Sequence, residues 1–480
     1  MLWTFVALSG GGVRAIPAAV TPFTEPTWEE LIARVPPGMR PDRPTVPDEQ
    51  NAALVLVQVL RQAKPPELDV QSAIFTLSRW DLAGPLNSNQ VGRVRSWLRE
   101  NAATLQLFRS AAGRSGCLFP LPSVTNSVEG LRGMMALGNG LVGEACLLWR
   151  AGARADAIAE LHDALVLSGL QIQGARTLIH HLVARAACRR ALDAIRAAAA
   201  SPEITATELQ RLADLLVVSP DDVARFRACI RSELVDFVVP STRWDALWAN
   251  YAGTLTNATV RELYPEELHR PLALVFDPKL LARHPQPFEA GQAVQESVDY
   301  WTEIDRRVQA PWTPDPLPDT TAATREKFIA DFAPVAAVLE REKVPLSNRA
   351  VARAAPHFLK LKNPVGRLLA SLPVMTEAPH LSVFESLTRW RAVRSVVALR
   401  RWAVAHGGVF PESLVALVDA GLLPDLPEDA FAGRPLHYSR ERGRVWSVGR
   451  NARDDDGKNT LRDAGTADDL VWSIVPGTAP

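Results

Sequence analysis

No excess of charge of either sign marks this chain: 53 Lys and Arg residues balance 53 Asp and Glu over 480 positions. A nucleic-acid-binding protein normally carries a basic surplus, and the balance speaks against that class. Cysteine is scarce too. Cys117, Cys146, Cys188 and Cys229 stand tens of residues apart, with no CxxC pair and no clustering with histidine, which removes the usual zinc signatures. They read as free buried thiols, with one or two disulfides as the alternative for an exported chain. Catalytic signatures are missing as well. Neither Gly-x-Ser-x-Gly nor Ser-x-x-Lys occurs, and Gly10-Gly11-Gly12 is not followed by Gly-Lys-Ser/Thr, so it reads as a joint and not a phosphate loop. Glu160 and His162 are two positions apart and face different sides of a helix, whereas a zinc protease needs histidines at i and i+4 around the glutamate. Neither they nor His180-His181 form a motif. The apolar stretch Leu2–Leu8 is too short to span a bilayer and has no basic residue before it. It reads either as the remnant of a signal peptide or membrane anchor, or as a frayed end.

Proline is plentiful, with 37 residues, and must sit mainly at helix starts and in the connections between helices. Residues 1–50 form an apolar, Pro-rich lead-in, with one short helix at Thr27–Ala33 that Thr27 caps. Residues 51–310 read as a helical body. Ala52–Gln62 opens it after Asn51, Arg93–Ala111 reads as one helix, and Ala155–Leu170 with Ala175–Ala199 reads as an antiparallel pair. Thr205–Leu216, Asp221–Phe237 and Trp244–Glu262 continue it. The fragment Arg154–Leu165 resembles the second helix of a tetratricopeptide-type hairpin, but no repeat of fixed period recurs. Residues 311–320, Pro-Trp-Thr-Pro-Asp-Pro-Leu-Pro at their start, form a linker. A second helical part covers 321–382, with a helix at Ala322–Lys343. Val383–His406 is a long helix stopped by Gly407-Gly408, and its arginines Arg389, Arg391, Arg394, Arg400 and Arg401 read as a solvated surface. The expected fold class is therefore mainly α: an irregular helical-hairpin array followed, in residues 383–480, by a small α+β module with a short antiparallel sheet.

That C-terminal module is where chemistry becomes legible. Asp454, Asp455, Asp456 and Asp463 fall in one loop containing Gly and Asn, and Asp468-Asp469 immediately precede a strand over Leu470–Ile474. Oxygen ligands combined with turn residues are what a hard cation such as calcium needs. The same composition also suits a plain soluble turn.

The motif Phe410-Pro411-x-Ser413-Leu414, Pro427-x-Asp429-x-Phe431-x-Gly433-x-Pro435-Leu436-x-Tyr438, Ser447-x-Gly449, Asp456-Gly457 and Ala467-Asp468-Asp469-x-x-Trp472 resembles the globular head of the major pseudopilins of type II secretion systems. Ala430 stands where that family has proline and Lys458 where a second glycine follows. About a fifth of the chain is covered, and about 400 residues precede it. The rest resembles large uncharacterised helical proteins of planctomycetes and myxobacteria. The pseudopilin resemblance implies a structural calcium ion held by the backbone carbonyl of Val445 or Trp446, the hydroxyl of Ser447, Asp454 or Asp456, and Asp468 or Asp469. It implies a non-enzymatic protein of the bacterial cell envelope or periplasm, presenting its tail to protein partners or to another copy. Two other readings stay open: an enzyme whose groups converge from separate helices, and a cytoplasmic helical adaptor without metal.

Overall fold

The computed structural model describes residues 27–42, 45–64, 66–80, 87–120, 128–219, 223–241, 274–275, 278–281, 283–314, 322–339, 348–370, 377–459 and 468–474. The apolar stretch Leu2–Leu8, the Gly10–Gly12 joint, the expected helix Trp244–Glu262 and Asp463 lie outside them. The chain is mainly helical and ends in small antiparallel sheets of two and three strands. No helix among the described residues is long and apolar enough to cross a membrane.

Two compact units share the chain discontinuously. The smaller comprises Met1–Asp42, Ala228–Arg306 and Leu317–Thr376. Its first described helix, Trp28–Ala33, is held by Thr27, whose hydroxyl accepts from the Glu30 amide while the Glu30 carboxylate accepts from the Thr27 amide. Helices Ala322–Leu339, Asn348–Phe358 and Pro364–Ala370 pack together, with Phe328 and Phe332 stacked in the interior.

The larger unit comprises Arg43–Arg227, Arg307–Pro316 and Glu377–Pro480. Helix α1 (Ala52–Gln62) starts at Asn51, whose side chain accepts from the Ala53 amide. Helices α2 (Leu68–Ser78), α3 (Ser88–Glu100) and α4 (Ala102–Ser110) follow. The expected single helix Arg93–Ala111 is thus two. The break falls at Asn101, whose side chain bonds the Trp97 carbonyl at 3.0 Å and accepts from the Lys64 amide at 3.0 Å, the competition with helical hydrogen bonds that asparagine brings. Helices α5 (Val128–Arg150), α6 (Arg154–Gly174) and α7 (Leu178–Ala200) are long and pack successively. The short links between them make neighbours antiparallel, as the expected hairpin pair requires. Thr177 caps α7 and Thr205 caps α8 (Ala206–Asp214) with a capping box.

Helix α9 (Glu377–Ala405) is longer at its N-terminal end than its apolar pattern indicates. It packs on α7 and α8, and Arg389, Arg391, Arg400 and Arg401 are structural ties where a solvated face was expected. Arg389 pairs with Asp193 at 2.5 Å, Arg400 donates to the carbonyls of Ala199 and Ser201, Arg391 donates to the Glu428 carbonyl, and Arg401 to Gln210. The reason is geometric: α9 is enclosed by helices and head on several sides, so a ring of guanidinium groups meets carbonyls and carboxylates in place of water. Of the Pro-rich stretch 311–320, residues 315–320 lie outside the described set. Trp312 is built into the larger unit: its indole donates to the Arg450 carbonyl at 2.9 Å and packs against His380, Phe384 and Phe431.

Candidate functional site

The head begins where α9 stops: the Gly408 amide returns to the Ala403 carbonyl at 2.7 Å, and a short helix α10 (Val415–Asp419) packs back on α9. The hairpin β1 (Glu428–Asp429) with β2 (Arg434–Pro435) precedes a three-stranded sheet of β3 (His437–Ser439), β4 (Arg444–Ser447) and β5 (Leu470–Ser473), with β4 central. Alternation follows the pleat: Val445 and Trp472, opposite each other, point into the core with Leu436 and Ile474. The Tyr438 hydroxyl donates to the Pro411 carbonyl at 2.8 Å, fastening the sheet to the chain entering the head.

Two carboxylates organise the loops around this sheet. Asp429 is fully buried and accepts from the Phe431 amide at 3.0 Å, the Ser447 hydroxyl at 2.8 Å and the Val448 amide at 3.0 Å. Asp469, equally buried, accepts from the amides of Asp455 at 3.1 Å and Gly457 at 2.8 Å. It therefore holds the acidic loop closed over the end of β4. Between them Asp468, 3% exposed, accepts from the Arg450 guanidinium at 3.2 Å and lies 3.4 Å from the Asn451 amide. Asp455 accepts through one oxygen from the Asn451 side chain at 2.9 Å and the Asp468 amide at 3.2 Å.

Each residue expected to hold calcium has a definite place. Val445 and Trp446 are in the central strand, paired on both sides, so their carbonyls lie in the sheet ladder. The Ser447 hydroxyl is spent on Asp429. Asp454 accepts from the Trp446 indole at 2.9 Å and lies 3.3 Å from the His437 ring, which stacks on Trp446. Asp456 pairs with Arg442 at 2.6 Å at the surface. Asp455 joins Asp468 and Asp469: its carboxylate accepts from the Asp468 amide and its amide donates to the Asp469 carboxylate. Asp429 and Asp455 stand in the site but outside the ligand set that the resemblance implies. Asp429 was visible only as one position of a motif, and Asp455 only as the middle of an acidic run.

The charges in this loop are unequal. Burial pushes the Asp469 carboxyl up to about 6, and the nearby Asp455 and Asp454 carboxylates add to the effect against the two amides it accepts from. Burial also raises Asp468, against the pull of the Asn451 amide and Arg450. The Arg442 guanidinium holds Asp456 low. Among the described residues no group of three His, Cys, Asp or Glu side chains is arranged as a ready ligand shell. The donor chemistry of Asp455, Asp468 and Asp469 nonetheless suits a hard cation, since a carboxylate with one or two N–H partners keeps lone pairs to offer.

The histidines and glutamates of the helical body occupy separate settings. Glu160 engages Arg109, which also binds Glu144 at 2.6 Å. His162 lies 3.1 Å from its neighbour Asp163. His180 is buried edge-on to Phe119 and His181 is buried against Phe226, and burial drives His180 down to about 3, so its imidazole is neutral at ordinary pH. All four cysteines are free and buried, and burial raises the Cys117 thiol far above its usual range, which keeps it unreactive. Comparison with protein-family models, with curated proteins and with solved structures finds no match for this chain.

Proposed function

We propose that this chain is a non-enzymatic scaffold of the bacterial cell envelope, in which the helical body presents the C-terminal head to protein partners or to another copy, and that a calcium ion stabilises the head's acidic loop. The observation that carries the calcium reading is the crowding of Asp455, Asp468 and Asp469: two are buried, both have raised proton affinity, and at neutral pH ionised Asp469 places negative charge beside Asp455 and Asp454. A hard cation offsets that repulsion and ties the loop at Asp454–Asp456 to β5, lowering the loop's freedom. Asp455, Asp468 and Asp469 are the residues that would hold it. Location outside the cytoplasm follows from the same argument, since calcium there is abundant enough to fill a weak site. Presentation rather than catalysis fits a head fastened to α9 by Arg391 and through Trp312, with Tyr438 tying its sheet to the Pro411 carbonyl, three ties that give a fixed platform.

The test is the thermal unfolding of the full chain at neutral pH with millimolar calcium and with chelator. An upward shift with calcium that is absent in Asp469→Asn is the expected result. Equal midpoints in the two solutions would remove calcium from the proposal. Concentration-dependent sedimentation of the same chain addresses self-association, with a purely monomeric profile counting against the copy-to-copy contact.

A further inference from the structure

The face of the larger unit where α2, α7 and α9 meet carries five arginines and few acids. Arg79, at the C-terminal end of α2, and Arg190, on α7, both lie over the ring of Phe75, their guanidinium carbons 4.9 and 4.3 Å from its centre. Phe75 and Arg79 are exposed. The ring's negative face holds both cations in place. Beside them, Arg189 lies 3.9 Å from Asp193, whose other oxygen binds Arg389 of α9 at 2.5 Å. Arg389 in turn lies 5.8 Å over the indole of Trp472, and Arg196 completes the row on α7, with the Ser473 carbonyl 3.5 Å away. The acids acting on Arg189 are Asp193 and Glu385. Asp193 is also the acid acting on Arg190 and Arg196.

Mutual repulsion is the electrostatic consequence. The charge of Arg389 is the main influence pulling Arg189 below its ordinary value. Arg190 is lowered first by burial and then, against Asp193, by Arg189, Arg79 and Arg389. Such a surplus is uncomfortable in the free protein and favourable once an anion sits on it. Two of the groups are pinned on one aromatic ring, so little side-chain entropy is left to lose on binding.

We propose that Arg79, Arg189, Arg190 and Arg389 form a binding site for a compact, multiply charged phosphate, in the class of an inorganic polyphosphate or a phosphate ester. The guanidinium fork matches phosphate oxygens bidentately and remains charged at every relevant pH. The compactness of the cluster favours this occupant over an acidic peptide. Arg79 and Arg190 meet on the Phe75 ring, and Arg189 and Arg389 meet on the Asp193 carboxylate within one turn of α7, so the four forks gather in one small region. A di- or triphosphate concentrates its charge in such a volume, whereas a peptide spreads single carboxylates along an extended backbone.

The test uses the full chain and inorganic tripolyphosphate, followed by titration calorimetry at fixed ionic strength. Saturable binding is expected, weakened by about tenfold or more in the double variant Arg79→Gln/Arg190→Gln, each lost fork removing a charge-assisted contact. The variant's unfolding midpoint is recorded alongside; should it fail to fold, the exposed Arg189→Gln serves instead and is expected to weaken binding in the same direction. A nucleoside triphosphate and a polyglutamate peptide are the comparison ligands. Equal binding of both phosphates assigns the site to phosphate itself, and tighter binding of the nucleotide assigns it to a phosphate ester; either upholds the proposal. No binding of tripolyphosphate, binding unchanged in both variants, or stronger binding of polyglutamate overturns it.

Discussion

Asp429 and Ser447 share a 2.8 Å hydrogen bond in the interior of the head, the hydroxyl donating to a carboxylate that also receives the Val448 and Phe431 amides. Neither side chain reaches solvent. The pair joins the β1–β2 hairpin to the end of the central strand. The same Ser447 oxygen then accepts from the Gly449 amide at 3.1 Å, setting the turn that leads into the acidic loop.

Replacing Asp429 is therefore expected to loosen two segments at once. Asp429→Ala leaves a buried hydroxyl and two amides without an acceptor, a loss of about 3 kcal/mol or more. Asp429→Asn keeps the volume but presents an NH2 group where N–H donors already point, and is expected to cost nearly as much. Ser447→Ala removes one donor to a charged acceptor and should cost about 1.5–3 kcal/mol. Urea unfolding of the full-length variants, followed through the tryptophans Trp446 and Trp472, measures all three. Wild-type stability in Asp429→Asn would show that the carboxylate is dispensable.

Much of the fold was legible before the structure because caps and periodicity are local. Thr27, Asn51 and Thr205 announce the helices they cap, and the apolar spacing within α6 and α7 shows that each buries a face. Pairing across long sequence distances is not encoded that way. Nothing in the pattern of α9 says that Arg389 meets Asp193 or that Arg400 reaches Ala199, so a ring of arginines reads as solvated. Asn101 splits α3 from α4 by bonding locally and to Lys64, which a helical apolar pattern hides. In the head, the acidic residues were visible and their partners were not. Whether an aspartate faces a backbone amide, as Asp469 does, or a guanidinium, as Asp456 does, depends on strands brought together by folding.

Two buried groups are expected to bend stability with pH over the same acid range, in opposite directions. The folded head raises Asp469 to about 6, above the ordinary carboxylate value, so the native state binds its proton more tightly than the unfolded chain. That contribution is complete below about pH 4 and is lost as pH rises through about 6. His180 is depressed to about 3. Its contribution is complete above about pH 6.5 and is lost as pH falls, by up to about 1.4 kcal/mol per pH unit. In unfolding midpoints taken from about pH 3 to pH 7.5 without divalent cations, the two contributions oppose each other between about pH 4 and 6, the His180 one rising and the Asp469 one falling as pH rises. Asp469→Asn is expected to remove the falling contribution and leave the His180 one, so that its midpoint climbs more steeply with pH between about 4 and 6 than that of wild type, and calcium should raise the wild-type midpoint more at pH 7.5 than at pH 5. A profile identical in wild type and Asp469→Asn would refute the assignment.

Two glycines with nearly the same backbone angle should respond differently to alanine. Gly449 has φ +63°, and a Cβ there would lie 2.2 Å from the Asp468 carbonyl oxygen; Gly407 has φ +65° with nothing within 4 Å. Gly407→Ala meets only the left-handed conformational cost, about 1 kcal/mol. Gly449→Ala adds a clash with backbone that cannot move without opening the Asp468–Asp469 segment, and is expected to cost about 3 kcal/mol or more. If both variants unfold at the same urea concentration, the close approach of the two loop segments is not a determinant of stability.

The C-terminal end of α7 supplies the remaining test. Arg400 donates to the carbonyls of Ala199 at 3.0 Å and Ser201 at 3.1 Å, acceptors that a terminating helix leaves without intrahelical partners. Burial lowers its proton affinity, yet an arginine stays charged, so the contact is a charge-assisted cap placed by α9 on another helix. Arg400→Met preserves the aliphatic stem and removes the donors, and is expected to cost about 1–3 kcal/mol. Arg400→Lys keeps the charge near the helix end but not the two-carbonyl reach, and should fall between wild type and methionine. Hydrogen exchange at the last turn of α7 distinguishes this capping role from general packing. Faster exchange confined to that turn in Arg400→Met is the expected outcome, and unchanged exchange there would mean that α9 stabilises α7 through its apolar face alone.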